Sequence, residues 1–430
     1  MARRIRSRDA PVGSPSHRAS APRSTAGRAA LAESSGADTE PSCSSPFGVD
    51  KPLVLVSLES GSQRGARLAH ALRRCAAADV WELPGDARGG LEAAAKHAAM
   101  TGTTRVVVAG GDGTASAAFA AFEAAWPASR PPPVYAVLPC GTGNDLARET
   151  EWKQSGVART ALRYRSDDAL RSLLAAVCAA PASRHDRWAL ASLPPSSENG
   201  TSHSQPIPVP APPPRVPFSN YASFGFCASV SLAFARLRSV APRALFSFRL
   251  ANKLIYGLLG AILFLRSVVV ASPLRGAVLT ADGRRVDIPR FSQGLVFLNI
   301  GSFMGGVRPW PRSATPLAGA AHGGGGGNGG GERNGEQRSA SGGSGGGDAS
   351  ASPSDGRLKV CAHFGALHLV AMQLGLAAAV PLAVASRASL RLSPTAAACA
   401  AQADGEPWVA PRGAAIEVSH AGAVALAHAP

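Results

Sequence analysis

Two short glycine turns carry most of the chemistry legible in this chain. Gly110-Gly111-Asp112-Gly113-Thr114 follows an apolar run, Thr104–Ala109, that reads as a strand, and it opens Ala115–Ala125, which reads as a helix. Glycines at such a junction let backbone N–H groups approach a bound phosphate, and the helix N-terminus adds partial positive charge. A carboxylate there would repel phosphate, so Asp112 makes sense as a group that handles a proton or a metal ion beside it. The plain alternative is an Asp-capped turn. The second turn, Gly141-Thr142-Gly143-Asn144-Asp145, follows Val134–Leu138 and Pro139 and adds a carboxylate–Arg pair, Asp145 and Arg148. Its alternative is a loop capped by Asn144 or Asp145. Two such loops on successive strand ends favour one shared site. Near the C-terminus, Asp404-Gly405-Glu406 offers two carboxylates from one tight turn; taken alone it reads as an ordinary hairpin turn.

The elements that must position these turns alternate between apolar runs and helical stretches. Lys51–Leu58, Asp79–Leu83, Thr104–Ala109 and Val134–Leu138 read as strands. Ala66–Ala77, Leu91–Met100 and Ala115–Ala125 read as helices. That spacing predicts a parallel sheet with helices on both faces, whose ligands bind beyond the carboxyl ends of the strands. Neither turn is a Walker A, since no Gly-Lys-Ser/Thr occurs. Neither is a dinucleotide fingerprint, since Ser116 stands where Gly or Ala belongs. His185-Asp186 reads as structural. After residue 218 the runs become strand-like, interrupted by helices expected at Ser229–Val240, Phe246–Leu265 and Ala366–Val384, so the second half reads as mostly β.

Composition narrows the classes further. The 430 residues carry a net charge of +16, but only 5 of the 44 basic residues are Lys, and no basic run interleaves with aromatics, so nucleic acid is not favoured. The seven cysteines are scattered singly, which excludes a disulfide scaffold or zinc ribbon and suits a reducing compartment. Residues 1–50 lack an apolar h-region; an Arg/Ser-rich, acid-poor start fits a disordered tail or an organellar transit peptide. Residues 191–217 are Pro-rich and read as a linker. A Gly-rich insert over 311–356 reads as disordered. Leu254–Leu265 is too short to span a bilayer, and Ala366–Ala385 contains His368, Gln373 and Pro381, so no transmembrane segment is expected. Arg236, Arg238, Arg243, Arg249 and Lys253 lie within or between apolar helical stretches. They suit either anionic headgroups or a plain solvated helix face.

These motifs resemble the diacylglycerol kinase family, within the group of GGDGT kinases. Gly110–Thr114 resembles the family's nucleotide loop, and Leu138–Arg148 resembles its second loop nearly letter for letter. Asn220–Gly225, Phe246–Gly257 (FSFRLANKLIYG), Leu295–Gly306, Gly365–Leu376 and Gln402–Trp408 (QADGEPW) resemble segments of its accessory domain.

The resemblance implies a catalytic nucleotide-binding domain over 51–190, α/β with a parallel sheet, and a β-sandwich-like accessory domain over 218–430. It implies ATP-dependent phosphorylation of diacylglycerol to phosphatidic acid with Mg²⁺. Gly110, Gly111, Gly113 and Thr114 would serve the phosphates. Gly141, Thr142, Gly143, Asn144 and Asp145 would complete the nucleotide site. Asp112 is the first choice for the base and Asp404 the second, with Glu406 near the metal. The implied setting is cytoplasmic, peripheral at a membrane that holds the diacylglycerol. Another lipid acceptor, such as ceramide or a long-chain base, and a non-catalytic relative remain open. Three features depart from the family: Ser57-Leu58 replaces an Asn-Pro, Cys227 replaces an Asp, and Pro381 falls where a continuous helix is expected.

Overall fold

The computed structural model describes residues 51–58, 64–85, 89–141, 143–193, 215–241, 246, 249–269, 271–311 and 352–430. The expected tail over 1–50, Thr142, Arg243, and most of the Pro-rich linker and Gly-rich insert lie outside the described residues, as do the side chains of Arg249 and Lys253.

The first half runs β1 (Leu53–Ser57), α1 (Arg64–Cys75), β2 (Asp79–Leu83), α2 (Leu91–Thr101), β3 (Arg105–Gly110), α3 (Asp112–Ala125) and β4 (Val134–Pro139). It continues with α4 (Asp145–Glu149), α5 (Gly156–Tyr164), α6 (Asp167–Ala179) and β5 (Ala182–Leu193). The second half runs β6 (Arg215–Phe218), β7 (Tyr221–Gly225), α7 (Phe226–Val240), α8 (Arg249–Val269), β8 (Val278–Ala281), β9 (Arg284–Val286) and β10 (Gly294–Leu298). Then follow β11 (Leu358–His363), α9 (Ala366–Gln373), β12 (Val380–Ala385), β13 (Arg387–Arg391), β14 (Cys399–Ala403), β15 (Glu406–Ala410) and β16 (Ala415–Ala427).

Strand residues alternate between two faces, so a run apolar at every position needs cover on both sides. In β1, Val54 and Val56 join the core cluster that holds Leu68 and Leu72 of α1 and Leu170 and Leu173 of α6. Leu53 and Leu55 join the opposite cluster, with Ala94 and Ala98 of α2 and Phe119 and Phe122 of α3. Strands β2, β1, β3 and β4 pair in that order and all in parallel, as the alternating pattern predicts.

β16 then lies beside β4, parallel to it through Ala425 and Leu426, and continues the same sheet through β13, β8 and β9. It also pairs antiparallel with β5 over twelve residue pairs. Trp152 donates its indole N–H to the carbonyl of Ala427 at 2.8 Å, tying the strand's end to the first half. The second sheet, in the order β12-β11-β10-β7-β14-β15, is antiparallel throughout. It packs on the antiparallel part of the first sheet: Phe224, Phe297 and Val360 share one core with Trp188, Leu279, Leu390 and Val418. The result is an α/β parallel-sheet unit continued into a β-sandwich.

One expected element is corrected. The helix expected over Ala366–Val384 ends at Gln373, and Val380–Ala385 is a strand. Gly375, at φ +71°, ends the helix in left-handed geometry, with the Leu376 amide donating back to the Ala371 carbonyl at 2.8 Å. Pro381 therefore kinks no helix. It sits in β12, an edge strand, where a missing donor is tolerated.

Deleting residues 424–430 removes the strand partner of β4 and the acceptor of Trp152. The midpoint of thermal unfolding should fall by about 5 °C or more, at roughly 2–4 °C per kcal/mol for large domains. An unchanged midpoint in a melting scan would show that β16 does not support the parallel sheet.

Candidate active site

The two glycine turns meet backbone to backbone. A β-carbon on Gly141 would overlap the α-carbon of Gly111, so only glycine lets the end of β3 and the loop after β4 approach this closely. One residue on, a β-carbon on Gly143 would stand 2.9 Å from Oδ2 of Asp112. The Thr114 side chain lies over Gly110.

Asp112 opens α3, yet its carboxylate serves a different helix. Oδ2 accepts from the Asp145 amide at 3.1 Å, and Oδ1 accepts from the Leu146 amide at 2.9 Å. Asp112 thus satisfies two of the amides that the first turn of α4 leaves without intrahelical acceptors. The N-cap of α3, Gly111, has no side chain to do the same, so the first turn of α3 carries no side-chain cap. The two helix starts are unequal: that of α4 is capped by Asp112, and that of α3 has no side-chain cap.

Asn144 stands at the head of α4 in left-handed conformation, φ 54°. Its Nδ2 donates to the Gly141 carbonyl at 2.7 Å and braces the turn. Its Oδ1 is buried without a partner among the described residues. Asp145 faces the second half of the chain. Its carboxylate accepts from the Ser302 hydroxyl at 3.0 Å and from the Gly305 amide at 2.8 Å. Arg148 donates to the Gly305 carbonyl and sits 3.9 Å from Asp145. The pair noted one helical turn apart therefore clamps the loop Ser302–Gly305. Burial first, then the neighbouring charge of Asp112, pushes the Asp145 carboxyl above its usual range.

Asp404 and Gly405 form the two-residue turn between β14 and β15, both at positive φ, 45° and 92°. This is the geometry for which Asp-Gly is preferred, so the plain hairpin reading of the backbone holds. The side chain does more. Oδ1 of Asp404 accepts from the amides of Asn220 and Tyr221 at 2.8 and 3.1 Å. Oδ2 accepts from the Ser219 amide at 2.7 Å and the Ser116 hydroxyl of α3 at 2.8 Å. A carboxylate offers about four lone-pair directions, and here each has a donor. Burial drives the carboxyl up to about 6 against these hydrogen bonds. Glu406 is exposed, and its Oε1 lies 3.3 Å from where a β-carbon on Gly113 would be.

The structure thus brings Gly110, Gly111, Asp112, Gly113, Thr114, Gly141, Gly143, Asn144 and Glu406 to one place, with Asp145 and Asp404 at its edges. Sequence reasoning missed Tyr221. Burial, then the carboxylates of Asp145, Asp112 and Asp404, raise its phenol well above the ordinary range. It also missed the Ser302–Gly305 loop, and it noted Ser116 only as a departure from a motif. Cys227 is buried among Val296, Leu298 and Cys361, an apolar setting that fits a thiol, and burial pushes it up to about 11. His185 is also buried, with Nε2 3.0 Å from the Ser219 carbonyl, and burial lowers it to about 4.

Comparison with known proteins places names beside this geometry. The family model "Diacylglycerol kinase catalytic domain" matches residues 51–172, and "Diacylglycerol kinase accessory domain" matches residues 217–407. Diacylglycerol kinase 2 of Arabidopsis thaliana is 34% identical over 262 residues, covering 60% of this chain and 34% of the relative. Diacylglycerol kinase theta of Homo sapiens is 30% identical over 309 residues, covering 71% and 27%. Diacylglycerol kinase 1 of Arabidopsis thaliana is 28% identical over 364 residues, covering 83% and 42%. The chain thus spans less than half the length of these relatives. A solved structure described as a putative diacylglycerol kinase from Bacillus anthracis str. Sterne aligns over 88% of this chain and 95% of that one, at 14% identity and a TM-score of 0.46.

Asp404→Ala would leave three backbone amides and one hydroxyl facing a void. Urea unfolding should show a loss of about 3 kcal/mol or more, against about 1 kcal/mol for Ser116→Ala. Equal, small losses would remove Asp404 as the anchor of this corner.

Proposed function

The chain belongs to the diacylglycerol kinase family, and on that premise we propose that it transfers the γ-phosphoryl group of ATP to the free hydroxyl of a 1,2-diacylglycerol, giving phosphatidic acid. One observation carries the reading: the two glycine turns touch, and the Asp112 carboxylate is oriented between them.

The open amides at the start of α3 suit the phosphates, with Gly110, Gly111, Gly113 and Thr114 forming the turn. Gly141, Gly143 and the unpartnered Oδ1 of Asn144 supply the second wall of the nucleotide site, with Thr142 assigned to it from the sequence. Asp112 is our candidate base. It accepts two hydrogen bonds, which fix its orientation and leave lone pairs to receive a proton. The lipid oxygen attacks the γ-phosphorus, its proton passes to Asp112, the bond to the β–γ bridging oxygen breaks, and ADP departs. Asp404, saturated with donors, serves better as a positioning residue than as a base. Asp145 serves better as a clamp on Ser302–Gly305 than as a nucleotide contact.

Mg²⁺ is the metal such a transfer calls for. Among the described residues, no group of three or more His, Cys, Asp or Glu is placed to hold an ion alone. A single hard oxygen donor beside the phosphates, Glu406, suits an ion that keeps waters and shares phosphate oxygens. Glu406 would hold it, and the ion would neutralise phosphate charge.

No helix among the described residues is long and apolar enough to cross a membrane. Six described cysteines are free thiols. We place the protein in the cytoplasm, acting peripherally on a membrane that carries the diacylglycerol, because that is where the proposed acceptor is held.

The direct test is transfer of labelled γ-phosphate from Mg·ATP to diacylglycerol in mixed micelles, with ceramide, sphingosine and NAD as parallel acceptors. Labelled phosphatidic acid is expected. No product with any acceptor, from folded protein that binds ATP, would overturn the proposal. Asp112→Asn should lower turnover by about 10²-fold or more with ATP binding largely intact. It should also lower stability by about 1 kcal/mol, since an amide cannot cap both α4 amides. Unchanged turnover would take Asp112 out of the mechanism.

A further inference from the structure

The nucleotide site does not account for the outer face of α8 and α9. Leu254, Leu258, Ile262 and Leu265 recur at intervals of four, four and three along α8, and each is between 54% and 69% exposed. That spacing puts them on one face of the helix. The opposite face is packed: Tyr256 stacks on Phe234 of α7 with ring centroids 4.2 Å apart. α9 touches α8 and repeats the pattern, with Leu367, Val370 and Leu374 exposed and Met372 buried in the core.

Charge on these elements runs one way. Between residues 221 and 281 there is no Asp or Glu and there are seven basic residues; residues 357–403 also contain no acid. Arg236 of α7 and Arg266 of α8 are exposed and line one cavity of about 440 Å³, whose walls include Phe226, Leu232, Ala233 and Leu263. An apolar stripe flanked by arginines, on helices without acids, matches the acyl boundary and phosphate layer of an anionic bilayer. A second copy of this chain would bring the same positive charge against itself.

We propose that the α8–α9 face docks on an anionic phospholipid bilayer, lying in the plane of the headgroups with Arg236 and Arg266 against lipid phosphates. The inference deepens the lipid-kinase reading and rests on it for the choice of partner. The inner side of α8 packs on α7, and α7 packs on β14 and β15, which carry the Asp404–Glu406 corner.

Flotation with vesicles, without nucleotide, tests docking apart from catalysis. The protein should float with phosphatidylcholine vesicles containing phosphatidylserine and much less with phosphatidylcholine alone. Leu258→Asp with Ile262→Asp should weaken binding by about tenfold or more. Arg236→Glu with Arg266→Glu should erase the preference for anionic vesicles. Tyr164→Asp, on the distant α5, should float like the parent, and circular dichroism should show each variant folded. The Leu258/Ile262 variant should still phosphorylate a short-chain diacylglycerol dispersed in water. If the parent floats but phosphorylates nothing, the kinase reading fails and docking stands. Folded variants that float like the parent would overturn the proposal. So would a concentration-dependent dimer, seen by light scattering, that the Leu258/Ile262 variant abolishes while flotation persists.

Discussion

The carboxylate of Asp404 receives three consecutive amides, Ser219, Asn220 and Tyr221, and the hydroxyl of Ser116. These donors belong to the β6–β7 connection, the first residue of β7 and α3, while the acceptor sits in the β14–β15 turn. A buried carboxylate is expensive unless its lone pairs are satisfied, and buried amides are expensive without acceptors. Each side removes the penalty of the other. The anchor fixes the height of the hairpin against α3, and that sets where Glu406 meets Gly113. The clamp of Asp145 and Arg148 on Ser302–Gly305 repeats the logic at α4. Each helix that starts at a glycine turn is thus bolted to the β-rich half by one carboxylate.

The cross-cap of Asp112 on α4 gives the site its polarity. Two helices begin side by side, each with unsatisfied amides and partial positive charge. If both were open, an anion would have two competing seats. Asp112 occupies one, while the start of α3 carries no side-chain cap and is the seat we propose for the phosphates. The same two hydrogen bonds fix the orientation of the carboxylate that we propose as the base. This resolves the objection that a carboxylate in a phosphate turn should repel its ligand: its charge is directed at α4.

The parallel sheet was legible because β1, β3 and β4 are unbroken apolar runs punctuated by glycine, and short-range pattern specifies both. The Asp404-Gly405 turn was legible for the same reason. The role of the Asp404 side chain was not, since Ser116 lies 288 residues away and no local pattern encodes that approach. Strand β16 is legible only as one of the strand-like runs after residue 218. Its return to β4 depends on strand order, which periodicity does not carry. The segment after Gln373 misled because an apolar run has no period to separate helix from strand; Gly375 and Pro381 were the local signals that favoured the break. Ser116 was visible as a residue out of place in a dinucleotide motif, and its partner explains why a hydroxyl is there.

α7 and α8 join the two kinds of surface. One side of α7 packs against β14 and β15, the strands that present Asp404 and Glu406. Against α7 lies Tyr256 of α8, and beyond Tyr256 lies the exposed leucine stripe. A phosphate donor is polar and reaches the turns from water. An acyl-chain acceptor is apolar and must leave its bilayer as little as the reaction allows, since exposure costs about 0.8 kcal/mol per CH₂. In the proposed reading, α7 and α8 are all that stands between the carboxylates and the apolar outer face, which keeps that exposure small. In the reading we propose, the glycine turns take the nucleotide from water, the α8–α9 face meets the lipid, and the reacting groups lie between them.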